Sequence, residues 1–218
     1  MQTLSEQRYS KLAPRVIKAL RARSFEAFYF EECEEAAEKI ISMIPKDHQV
    51  SWGGSKTLHD MGIQERLAHN GYNLLDRDKA ASPEERHEIM RRSLLCDTFL
   101  SGTNAISEDG QLVNIDGNGN RAAAMIFGPR QVIIAAGMNK VVKSCENALV
   151  RARTIVAPLN VQRFPNLKTP CNETGSCVAI YDGGCLSADT ICSVFVTTRF
   201  CKPAGRIKVV LVGKDLGL

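Results

Sequence analysis

Three stretches of this chain gather residue types able to bind or transform a small molecule. The first, residues 52–58, reads WGGSKTL. Paired glycines let a backbone turn sharply and present successive N–H groups to an anion, and a following helix start adds its positive dipole end. Gly53 and Gly54 therefore form a candidate turn for a phosphate or carboxylate. Ser55, Lys56 and Thr57 add two hydroxyls and a cation. The same letters also describe an ordinary strand-to-helix turn with Ser55 as N-cap, and Lys56 tips the reading toward an anion. The stretch is neither a P-loop nor a GxGxxG fingerprint.

The second stretch, residues 101–121, reads SGTNAISEDGQLVNIDGNGNR and lies between the apolar runs TFL and QVIIAAG. Gly102, Thr103 and Asn104 end a buried strand, where open parallel sheets place their ligands. Asn114, Asp116, Asn118 and Asn120 recur at every second position, which on an extended chain puts them on one face. Such a row suits sugar hydroxyls or a hydrated ligand. Gly117 and Gly119 interrupt a regular strand, however, and Asn and Gly also build plain turns. Glu108-Asp109-Gly110 reads first as the tip of a hairpin.

The third stretch holds Cys171, Cys177, Cys185 and Cys192. Thiolate tetrads bind zinc or iron–sulfur clusters, and the compact forms of that pattern contain a CxxC pair. None occurs here. Four half-buried thiols are the favoured reading over a metal site.

These segments need elements to hold them. Leu12, Val16, Ile17 and Leu20 mark one face of a first helix, with Ser5 as its expected cap and Pro14 as an expected kink. Residues 1–45 are read as an N-terminal helical segment packed on a main domain of residues 46–218. In that domain QVSW, YNLL, TFLSG and QVIIAAG are strands separated by helical patterns. One of these helices opens at Ser82-Pro83 with Glu85 three residues after the cap. Such alternation implies right-handed crossovers and a mainly parallel sheet. The late strands SVFVTTR and RIKVVLVG either pair as a hairpin or continue the sheet. The expected fold is a three-layer α/β/α, Rossmann-like single domain with a cysteine-rich C-terminal segment.

The totals narrow the partners. The 218 residues carry a net charge of +4, too small and too dispersed to argue for nucleic acid, and one Trp and four Tyr offer little base stacking. No apolar run approaches the roughly 20 residues of a membrane span. The opening residues lack the apolar segment of a signal peptide, so a cytoplasmic protein is expected. A homo-oligomer is compatible with the sequence.

SWGGSKTL, FLSGTNAISEDGQLVNIDGNGNRAAAMIFGPRQVIIAAGMNKVV, TPCNETGSC and RIKVVLVGKDLG together resemble the lactate-utilisation (LUD) domain family over nearly the whole chain. That family is similar in fold to the sugar-phosphate isomerase and CoA-transferase superfamily. The resemblance implies a ligand site between the glycine turn and the polar hairpin. It also implies an association with lactate or other organic-acid use, with iron–sulfur lactate-oxidation proteins as partners. By analogy with isomerases of this fold, Asp109 or Glu108 would act as general base, with Lys56 beside the anion. The alternative role is a non-catalytic assembly subunit of an iron–sulfur complex.

Overall fold

The computed structural model describes residues 2–178 and 185–218. Six strands form one parallel sheet: β1 (Glu26–Phe30), β10 (Ile207–Val212), β7 (Gln131–Gly137), β4 (Thr98–Ser101), β2 (Gln49–Trp52) and β3 (Asn73–Leu75), in that spatial order. The side-chain period of two decides what covers each face. Val132, Ile134 and Ala136 of β7 and Ile207, Val209 and Leu211 of β10 join one core, while Ile133, Ala135, Val210 and Val212 join the other. The first core is closed by α1 (Leu4–Ala22) and α6 (Asn120–Ile126), the second by α2 (Cys33–Ser42), α3 (Lys56–Asp60) and α4 (Ile63–His69). Each fully buried Val, Ile or Leu contributes roughly 1.5–3 kcal/mol. The outcome is the expected mainly parallel α/β arrangement.

A second sheet has the order β8 (Val141–Val142), β5 (Ala105–Ser107), β6 (Leu112–Asp116), β9 (Val194–Thr198). The β5–β6 hairpin is the polar segment read from the sequence. One side of it joins the first core through Ile106 and Leu112. The other packs Ala105, Val113 and Ile115 against Ala148 of α7 (Cys145–Arg151) and Ala152 just beyond it. Thus β9 and β10, left open as a hairpin or a continuation, belong to different sheets: β9 runs antiparallel to β6, and β10 lies between β1 and β7.

Two expectations for the opening residues change. Thr3 rather than Ser5 caps α1, in a capping box with Glu6, and the helix continues through Pro14 without a break. Residues 26–30 are not helical: the aromatic run EAFYF suits a pleated, half-buried surface, and β1 pairs along its length with β10. Ser24, at φ 62°, turns the chain between α1 and that strand. No helix among the described residues is long and apolar enough to cross a membrane.

Candidate functional site

The carboxyl ends of four neighbouring strands, β3, β2, β4 and β7, open onto a cavity of about 980 Å³. In a parallel sheet every strand delivers the residues that follow it to the same edge, so segments distant in sequence converge there. β2 delivers Gly53 to Lys56, β4 delivers Gly102 to Asn104, β3 is followed by Arg77, and β7 by Lys140. The polar hairpin supplies the facing wall through Asp116, Gly117, Asn118, Asn120 and Arg121.

Arg121 explains much of that wall. Its Nη1 donates to Asn114 Oδ1 at 2.7 Å and to Gly102 O at 3.2 Å. Its Nη2 donates to Ile115 O at 2.7 Å and to Asn104 Oδ1 at 3.1 Å. Asp116 Oδ2 stands 3.6 Å from Nε and accepts from the backbone of Ala122, which ties the charge pair to the start of α6. Burial pushes the guanidinium down from its ordinary range, and Asp116 opposes that. Asn104, Asn114 and Asp116 are therefore engaged with the protein. Asn114 is buried and does not line the cavity.

The alternating row is extended only along β6. Past Gly117 the chain turns at Gly119 (φ 79°) into α6, leaving Asn118 and Asn120 on the cavity. Thr103 also lines it, with its hydroxyl donating back to Ala105 and Val113 carbonyls.

The glycine turn has a second use. A Cβ on Gly53 would lie 2.7 Å from Arg121 Cδ, and one on Gly54 would lie 2.8 Å from Arg77 Nη2. The two glycines thus admit two arginines against one turn. Arg77 differs sharply from Arg121. Its side chain is only 13% exposed, and Nε has no hydrogen-bond acceptor among the described residues. Asp78 Oδ1 stands 3.9 Å from that Nε but is held by Arg86 at 2.9 Å. The cationic end of Arg77 otherwise meets Met90 sulfur at 3.6 Å. Burial pushes this guanidinium down as well. Two more buried atoms on the cavity wall lack partners among the described residues, Trp52 Nε1 and Gln64 Oε1.

The short helix after the turn is less well equipped for anions than its residue types implied. α3 is five residues long, and Ser55 Oγ is engaged in accepting from Leu58 N. Lys56 lines the cavity with its charge on Asp60 at 2.7 Å. Thr57 is fully buried and its Oγ1 accepts from Lys140 Nζ at 2.8 Å. Lys140 itself is 5% exposed. Burial, with help from Arg151 and Arg121, pushes its ammonium down to about 7.

Six Lys and Arg side chains border the cavity against three Asp (Asp78, Asp116 and Asp189), a surplus of positive charge. Sequence reasoning had named only Lys56 of those cations. Arg77 and Lys140 were marked only by standing two or three residues past a strand end.

Glu108 and Asp109 lie elsewhere. Glu108 pairs with Lys143 at 3.0 Å and Arg15 at 3.3 Å, in a separate recess beside α1. Asp109 pairs with Arg23 at 2.6 Å and accepts from Ser107 and Gln111. Burial opposes the Asp109 charge, but those bonds outweigh it and hold the carboxyl below its ordinary range. Gly110, at φ 87°, presses the hairpin tip onto the Ala19–Leu20 backbone of α1.

Burial pushes the Cys192 thiol up to about 11, and the charges of Cys171, Cys177 and Cys185 add to it. Among the described residues no group of three or more His, Cys, Asp or Glu is arranged to hold a metal ion. Residues 179–184 of the spacer between Cys177 and Cys185 lie outside the described residues.

A family model described as the LUD domain matches residues 13–212. No curated protein matches the chain. Among solved structures, a DUF162 family protein from Deinococcus radiodurans aligns with a TM-score of 0.51 at 11% identity, covering 94% of this chain and 98% of that one. Ribose 5-phosphate isomerase A from Neisseria gonorrhoeae aligns with a TM-score of 0.34 at 16% identity, covering 52% of this chain and 54% of the other. The first likeness extends over the whole fold.

Proposed function

The chain belongs to the LUD domain family, and from that premise we propose that it binds a small organic anion in the cavity between the glycine turn and the polar hairpin. Family membership points to an association with lactate utilisation, so a carboxylate or phosphate ester of organic-acid metabolism is the favoured ligand class. The observation that carries this reading is Arg77, a cation 13% exposed on the cavity wall whose buried Nε has no acceptor among the described residues. Leaving a charge without adequate partners away from water is costly, and an anion accepting from it would relieve that cost. A charged hydrogen bond contributes about 1.5–3 kcal/mol, or roughly ten- to a hundredfold in affinity. Asn118 and Asn120, with Trp52 and Gln64, would contact the neutral part of the ligand. Glu108 and Asp109 stand outside this cavity, so the reading assigns them no chemistry.

A thermal-shift screen with lactate, sugar phosphates, nucleotides and CoA esters tests the proposal. At least one should raise the melting temperature of the wild-type protein, and Arg77→Met should abolish that rise. No response to any anion, or an undiminished response in the variant, would rule this site out.

A second reading, from family membership, is docking to an iron–sulfur oxidoreductase of lactate oxidation through the cysteine-bearing segment. Anaerobic co-purification with visible absorption spectroscopy distinguishes the two. A colourless, metal-free protein that recruits no such partner would dismiss the second.

A further inference from the structure

Lys140 is a buried lysine in a cavity, and no carboxylate lies within ion-pairing distance of it among the described residues. Among the described residues its hydrogen-bond partner is the Thr57 hydroxyl at 2.8 Å. The backbone of Gly217 passes close by, so that a Cβ there would sit 3.2 Å from Nζ. The charges that face Lys140 are Arg121 and Arg151, which repel an ammonium, and Asp60, whose carboxylate already accepts from Lys56 at 2.7 Å and from Gly217 N at 3.2 Å. These surroundings favour the neutral amine, which has the lone pair an ammonium lacks. The ordinary lysine range is lowered to about 7 in keeping with that arrangement.

A lysine that served only to attract anions would add a third repelling charge beside Arg121 and Arg151. A neutral amine in a cavity that takes carboxylates suits another task. We propose that Lys140 condenses with the carbonyl group of a small 2-oxo acid held in this cavity, which makes the site one for oxo acids. The proposal rests on the anion-binding reading above. In the step, Nζ attacks the carbonyl carbon and a C–N bond forms. The oxygen takes up the amine protons and leaves as water when the C–O bond breaks. Amine and carbonyl thus become imine and water, with no oxidant or reductant. Thr57, behind the cavity wall, acts as a positioning residue that fixes the amine through its hydroxyl.

The test is to incubate the full chain with pyruvate and sodium cyanoborohydride, then locate the reduced adduct by peptide mass spectrometry. One adduct per chain is expected on Lys140, forming readily at neutral pH, where surface lysines are protonated. Lys140→Arg should lose it, and Lys143→Arg, at an exposed lysine outside the cavity, should keep it. If Lys140→Arg does not fold, Thr57→Val serves instead: the adduct stays on Lys140 but its pH profile moves. No adduct, one spread over surface lysines, or one forming only in the ordinary lysine range would overturn the proposal. An Arg77-dependent thermal shift with pyruvate but no adduct would leave the anion site standing and remove the nucleophile alone.

Discussion

On the hairpin side of the cavity, Arg121 has acceptors for both terminal nitrogens, and the carboxamides around it are turned inward to serve it. On the turn side, Arg77 lies against Gly54 with no acceptor for Nε, and Lys140 has a hydroxyl where a carboxylate would be expected. Both walls are polar, and both hold a buried arginine against the same pair of glycines. They differ in whether the guanidinium finds acceptors within the protein; Asn114 Nδ2 on the hairpin side also lacks a partner among the described residues. Asn, Asp and Arg in dense array mark a wall that holds itself in shape. On the turn side the nearest carboxylate to Arg77 is Asp78 at 3.9 Å, and Lys140 bonds a hydroxyl, which is where the proposed anion would sit.

The largest effect that could break this contrast is on stability. Arg121→Met should destabilise the protein by roughly 3–5 kcal/mol, because it leaves Asp116 unpaired and the acceptors of the hairpin unsatisfied. Thermal melts followed by circular dichroism would show it, and a loss well below that would mean the wall does not depend on Arg121. Arg77→Met is expected to do the reverse. Stability should hold or rise slightly, while affinity for the best anion falls about ten- to a hundredfold. Calorimetric titration reads the second quantity directly.

Lys140→Met sharpens the comparison through pH. The folded lysine releases its proton near 7, whereas the unfolded one keeps it to about 10.5. Between those values the unfolded state binds the extra proton, so wild-type stability rises with pH across that window, at about 1.4 kcal/mol per unit. The variant lacks this dependence. It should therefore be the more stable protein at pH below 7, with its advantage fading toward 10.5. A constant difference at all pH values would contradict the burial of an uncompensated amine. The smallest effect belongs to Asp109→Asn, a half-exposed pair with Arg23 away from the cavity. It should cost no more than about 1 kcal/mol and leave the anion response intact.

Much of the fold was legible because its signals are local. The run QVIIAAG is β7 residue for residue, Ser82-Pro83 opens its helix, and Ser55 caps the helix after the glycine turn. β1 was missed because EAFYF is a short run whose pairing partner, β10, lies at the opposite end of the chain. The two segments flanking the cavity were legible for the same local reason. What each polar residue does there was not. Whether Asn114 meets a ligand or Arg121 depends on where the hairpin packs, and the spacing of residues along a strand does not carry that information. Arg77 and Lys140 come from short 3-10 helices after β3 and β7, and only the parallel order of the strands brings them beside Gly54 and Thr57. A reading that marked every cation within three residues of a strand's carboxyl end would have found both.

The most direct measurement is a crystal structure with the strongest-binding anion from the screen. The account expects its carboxylate or phosphate against the Arg77 guanidinium over Gly54, with the Arg121 network unchanged. An anion seated beside Lys56 at the start of α3, or in the recess of Glu108, with Arg77 still lacking an acceptor, would contradict it.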